Sequence, residues 1–104
     1  MSQNRAEVLR MMLSQDPKNP LARYGLAMEH VNTGNLEEAV AEFDTLLADN
    51  PKYVAAYFHG GQTLERLGRT DEARQWYETG VEVTRRKGDQ HALSEMQAAL
   101  DLLG

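Results

Sequence analysis

Apolar residues recur along this chain at steps of three and four, and the runs are broken by glycines or by Asp-Pro and Asn-Pro stops. Such spacing gathers the apolar residues on one face of successive helices. Residues 4–15 place Val8, Leu9, Met12 and Leu13 on one stripe, with Asn4 as N-cap, Glu7 in capping-box position and Pro17 as the stop. Methionine there is expected to serve ordinary core packing. A second helix is expected from Pro20 to Thr33, with Leu21, Tyr24, Met28 and Val31 on one side and Ala22, Leu26 and Ala27 beside them. Coverage that wide requires contact on more than one face. Gly34 ends this helix, and Asn35 is expected to cap the next, with Glu38 as its reciprocal partner. That helix carries Ala39, Val40, Phe43, Leu46 and Leu47 and stops at Asn50-Pro51.

A shift of 34 residues lays this pattern on a copy of itself: Gly34 falls on Gly68, Glu38 on Glu72, Ala39 on Ala73, Phe43 on Tyr77 and Leu47 on Val81. The reverse shift lays Asp49-Asn50-Pro51-Lys52 on Gln15-Asp16-Pro17-Lys18, and Leu47 on Leu13. A period of that length marks a stacked helical repeat. The organisation expected is a half-unit at 4–15, one repeat at 20–53, a second at 54–87 and a closing helix at 89–103, within a single domain.

In the second repeat Ala55, Ala56, Tyr57, Phe58, Gly61 and Leu64 precede the Gly68 stop, and Thr70 is expected to cap the partner helix, which carries Ala73, Trp76, Tyr77 and Val81. Two glycines inside a helix, Gly60 and Gly61, cost about 1 kcal/mol each relative to alanine. Close approach of another helix backbone is the expected compensation. Arg85-Arg86-Lys87 sit at the negative end of the helix dipole, before Gly88. Asp89 opens the last helix, whose stripe of Ala92, Leu93, Met96, Ala99, Leu100 and Leu103 is expected to shield the end of the stack, with docking of a second subunit as the alternative.

Composition narrows the chemistry. With no cysteine in 104 residues there is no disulfide, thiol nucleophile or thiolate metal site. A net charge of -5 opposes phosphate backbones, so nucleic acid is not an expected partner. No apolar run reaches the roughly 20 residues of a membrane span, and residues 1–5 lack the layout of a secretory signal, so neither a membrane nor export is expected and a cytoplasmic location is the default. His30, His59 and His91 form no paired metal motif, and no metal or cofactor is expected. Glu37-Glu38 and Asp71-Glu72 belong to helix first turns, and no phosphate loop or nucleophile elbow occurs. An enzyme is not expected.

The residues resemble the tetratricopeptide repeat family, through Leu26-Ala27, Gly34, Ala39, Phe43 and Pro51 in the first unit and Tyr57, Gly61, Gly68, Ala73 and Tyr77 in the second. Departures are Arg23 in place of a large aromatic, His30 of tyrosine, Gly60 of leucine, Gly80 of alanine and Arg85 of the closing proline. The resemblance implies an all-α, right-handed superhelix of antiparallel helix pairs with a C-terminal capping helix. It also implies a concave groove that receives a peptide or a helix of a protein partner. The groove would present Leu21, Tyr24, Met28, Val31 and Asn32 from the first repeat. Ala55, Phe58, His59, Gln62, Glu65 and Arg66 would come from the second. The family's carboxylate clamp needs cationic and amide donors at places held here by Tyr24, Gly25, Met28, Ala55 and His59, so a ligand with buried apolar side chains is expected instead. The alternative role is structural: a homodimer formed through the groove or the terminal helices.

Overall fold

The computed structural model describes residues 4–104; residues 1–3, part of the segment compared with a secretory signal, lie outside them. The described residues form six helices and no strand: α1 (Arg5–Gln15), α2 (Pro20–Asn32), α3 (Leu36–Asp49), α4 (Val54–Arg66), α5 (Thr70–Lys87) and α6 (Gln90–Leu103). Each helix packs on the next in sequence, so neighbours along the chain are neighbours in space. The stack measures 44 × 28 × 20 Å. None of these helices is long and apolar enough to cross a membrane.

Three turns follow one scheme. Gly34, Gly68 and Gly88 take φ of 82°, 77° and 72°, the left-handed region that glycine enters without a Cβ clash. The next residue's amide then reaches back to the helix just ended: Asn35 to the His30 carbonyl at 2.8 Å, Arg69 to Leu64 at 2.9 Å and Asp89 to Thr84 at 3.0 Å. Asn4, Asn19 and Asp89 cap α1, α2 and α6 with their side chains. Two expected caps are not made. Asn35 donates its amide to Thr33 Oγ1 at 3.3 Å instead of accepting from α3, and Thr70 is already the first residue of α5, after Arg69. The glycine turn satisfies helix ends without them, and the α5 start is held by Arg69, whose guanidinium grips Glu72 with two bonds of 2.7 and 2.8 Å. A third bond, 2.9 Å to Glu37, ties the α3 start to the same cation.

The interior divides along the stack. Ala6, Leu9, Leu13, Ala22 and Leu26 join α1 to α2. Ala27, Ala39, Phe43, Leu46 and Ala56 join α2, α3 and α4. Tyr57, Leu64, Tyr77, Val81 and Met96 carry the core on to α6. Ala39 and Ala73 are fully buried, as a close crossing requires. The stripe expected on α1 is displaced. Ala6, Leu9 and Leu13 are buried, Val8 is half-buried, and Met12 keeps 44% of its surface in solvent, with Met11 beside it at 57%. The repeat frames the shift: Met12 occupies the register of Leu46, which is buried in the cluster of Ala27 and Phe43, and of Gly80, which is buried between Tyr57 of α4 and Met96 of α6.

Gly60 and Gly61 are compensated by aromatic rings, not by a neighbouring backbone. A Cβ at Gly60 would strike the Trp76 ring, and one at Gly61 the Tyr77 ring, both on α5. Gly80 does the same service for α6, since a Cβ there would lie 2.7 Å from Met96 Cε and 3.0 Å from Tyr57 Cβ. Its departure from alanine therefore makes the seat for the Met96 thioether. The substitutions at Arg23 and Gly60 also have a structural cause. In the first repeat Arg23 bonds Glu42 at 2.8 Å, whereas the equivalent positions of the second hold Tyr57 and Trp76 in the hydrophobic core.

Candidate functional site

The first helices of successive pairs, α2 and α4, and the closing helix α6 line one surface, with α4 between the other two. Side chains that point away from α3 and α5 have no helix left to cover them there, and so retain access to water. None of the eleven residues expected along this surface is fully buried: Tyr24, Met28, Val31, Ala55, Phe58 and His59 are half-buried, while Leu21, Asn32, Gln62, Glu65 and Arg66 are exposed. Leu21 is the extreme, with 73% of its surface exposed at the α1 end.

Aromatic rings form the floor. Tyr24 packs at 6.2 Å on Phe43, at 5.4 Å on Tyr53 and at 6.1 Å, edge-on, against His59. Phe58 lies 5.3 Å from His59 and 6.4 Å from Tyr77. Burial pushes the Tyr24 hydroxyl above its usual pKa, aided by the neighbouring Tyr53, so this floor stays uncharged. Burial also lowers the His59 pKa, against the opposing pull of Gln62 and Glu95, and disfavours the imidazolium at neutral pH.

Two cavities open on the surface and meet at His59. One, of about 360 Å³, lies between α2 and α4 and is lined by Val31, His59, Gln62, Thr63, Glu65 and Arg66. The other, of about 410 Å³, lies between α4 and α6, with Ala55, Phe58 and His59 on one wall and His91, Ala92 and Glu95 on the other. Helix α6 thus shields Tyr77 and Val81, the role expected of it, and in addition supplies a third wall. Asp89, His91, Ala92 and Glu95 were not legible as site residues, because helix-opening positions lie 34 apart from Asn19 to Tyr53 but 36 apart from Tyr53 to Asp89. Glu65 is held by Tyr77. The Tyr77 hydroxyl donates to one of its oxygens at 2.5 Å, which fixes the carboxylate at the rim and raises the Tyr77 pKa further than burial alone. Among the described residues, no group of three or more His, Asp or Glu side chains is placed to hold a metal ion.

A family model for the tetratricopeptide repeat matches residues 24–92, from within α2 through α5 to the first residues of α6. The chain belongs to the tetratricopeptide repeat family. A TPR repeat-containing protein of Pseudomonas aeruginosa is 31% identical over 94 residues, covering 90% of each chain. A tetratricopeptide repeat domain protein of Salinibacter ruber, solved in solution, shares 44% identity and superposes with a TM-score of 0.79 over 84% of this chain and 88% of its own. A protein of Bordetella parapertussis, 30% identical, superposes with a TM-score of 0.85 over 98% of this chain and 89% of its own. The fold is accordingly the all-α superhelix of antiparallel pairs that the family shares.

Proposed function

We propose that this tetratricopeptide repeat protein is a non-catalytic interaction module that receives an extended or helical segment of a protein partner along α2, α4 and α6. One observation carries the reading: two adjoining cavities share His59 as a wall, with Val31 in one, Phe58 and Met96 in the other, and the half-buried Tyr24 ring packed edge-on against the shared His59. A floor of that kind, rimmed by Asn32, Gln62 and Arg66, suits a ligand that buries apolar side chains. The clamp for a terminal carboxylate does not suit this surface, since Tyr24, Gly25, Met28 and Ala55 offer no cation and burial disfavours the charged form of His59.

The test pairs two changes at half-buried positions of this surface, Met28→Glu and Ala55→Arg, of which Met28 also packs against the core between α2, α3 and α4. Peptides selected from a random display library on the wild-type protein should bind the double variant at least about tenfold more weakly, a loss of about 1.4 kcal/mol. Circular dichroism and the thermal midpoint should stay close to wild type. Selected peptides that bind both proteins equally would place the binding surface elsewhere and sink the reading.

A second reading, weak self-association, is favoured by the exposed Met11 and Met12 on α1. Met12 sits where the register elsewhere buries Leu46 and Gly80, and a second copy would cover it together with the neighbouring Met11.

A further inference from the structure

The two halves of the groove differ in charge. At the α2–α4 cavity the Glu65 carboxylate is matched by Arg66 on the same lining and by the Tyr77 hydroxyl. At the α4–α6 cavity the charged lining residues are Asp89 and Glu95, and neither lysine nor arginine lines it. Asp89 spends one oxygen on the Ala92 amide as the α6 cap. The nearest partner of Glu95 is an imidazole, His91 Nε2 at 3.6 Å, not a full-time cation. The nearby basic run is committed elsewhere: Lys87 Nζ donates to the Lys52 carbonyl at 3.2 Å, and Arg85 and Arg86 reach Glu82. Beneath the carboxylates lie Val54, Phe58 and Met96, so an apolar floor and an anionic rim belong to one cavity. At about 410 Å³ it has room for one or two side chains, at the small end of the roughly 300–1,000 Å³ of ligand pockets.

We infer that the α4–α6 half of the groove selects a peptide segment of the partner in which a lysine or arginine stands beside a large apolar residue. This rests on the groove reading above and names the ligand's chemistry. The apolar side chain covers Phe58 and Met96, and the basic one meets Glu95 at the rim. A neutral His59 offers that cation no opposing charge, and its burial favours the neutral form. Charge complementarity of this kind sets selectivity and association rate more than total affinity. The remaining apolar side chains of the segment then fall on the charge-balanced α2–α4 half.

The experiment selects a random-sequence peptide display library in parallel on wild type, on Glu95→Arg and on the Met28→Glu/Ala55→Arg double variant. Wild type should enrich Lys or Arg next to Leu, Met or Phe, and Glu95→Arg should enrich Asp or Glu at that place. Individual basic peptides should lose roughly two- to fivefold in affinity on Glu95→Gln, as an exposed ion pair allows. Enrichment without a basic preference, or with one that Glu95→Arg leaves intact, overturns the inference while the groove reading stands. No enrichment on wild type beyond the double variant overturns both.

Discussion

At the scale of single residues, the molecule depends on glycines whose missing methyl groups are occupied by aromatic rings. Gly61 is the stricter case. Its neighbour Tyr77 is fully buried and anchored through its hydroxyl to Glu65, so the ring has nowhere to retreat. In Gly61→Ala the helix would gain about 1 kcal/mol of propensity. Overpacking of a tight core costs about 1–3 kcal/mol and should outweigh it. The expected outcome is a lower thermal midpoint, by about 4–8 °C for each kcal/mol of net loss. A midpoint equal to or above wild type in a scanning calorimeter would show that the Tyr77 ring adapts. Gly34 offers the contrast, since nothing stands within 4 Å of its missing methyl and only its φ of 82° resists a side chain.

At the scale of elements, α6 does two jobs that share one residue. Met96 is 1% exposed, seats its thioether over Gly80 and also lines the α4–α6 cavity from below. Truncation in Met96→Ala should destabilise the fold by about 2–5 kcal/mol, the range for a buried large-to-small change. The same change should raise hydrogen exchange in α6 more than in α2, because the lost contact is local to the α5–α6 junction. Equal acceleration in both helices would show that α6 does not open separately. The helices themselves were legible because each carries an apolar stripe at helical steps and ends at glycine or proline. Cap identities were less so. Asn35 and Thr70 have the right chemistry for caps, but the left-handed glycine before each turn had already satisfied the chain by backbone bonds. The candidate positions on α2 and α4 could be named from sequence because a constant shift of 34 relates them, and six of them are half-buried and five exposed. The wall on α6 could not, because α5 runs to 18 residues and displaces the register by two. The charge difference between the two halves of the groove was invisible for a related reason: it depends on the Tyr77–Glu65 bond and on which helix faces which cavity.

At the scale of the whole molecule, an elongated stack with nearest-neighbour contacts has two ends, and they are finished differently. The α6 end turns Gln97 outward at the place where Ala27 and Gly61 are buried against their partner helices, so a polar side chain meets the water there, with Leu102 of the last turn as a lone exposed large apolar side chain. The α1 end turns Met12 outward, where the same register buries Leu46 and Gly80, with the exposed Met11 beside it. Polar ends keep repeat arrays soluble, and an apolar one invites a cover. A single helix face of this kind falls short of the roughly 1,200 Å² total burial that stable complexes use, so a dimer formed through it would be weak. Sedimentation equilibrium should then show a mass that rises with concentration in the range of tens of micromolar and above, corresponding to about -6 kcal/mol or weaker. Met12→Glu should return the protein to a monomer without changing its helicity, because Leu9 and Leu13 continue to hold α1 on α2. A constant monomer mass at every concentration would remove self-association, and Met12 would then be a solvated apolar side chain with no partner in another copy. If association is seen but survives Met12→Glu, the contact lies elsewhere, and the half-buried Tyr24 and Phe58 become the surface to change next, at the cost of a freely accessible groove.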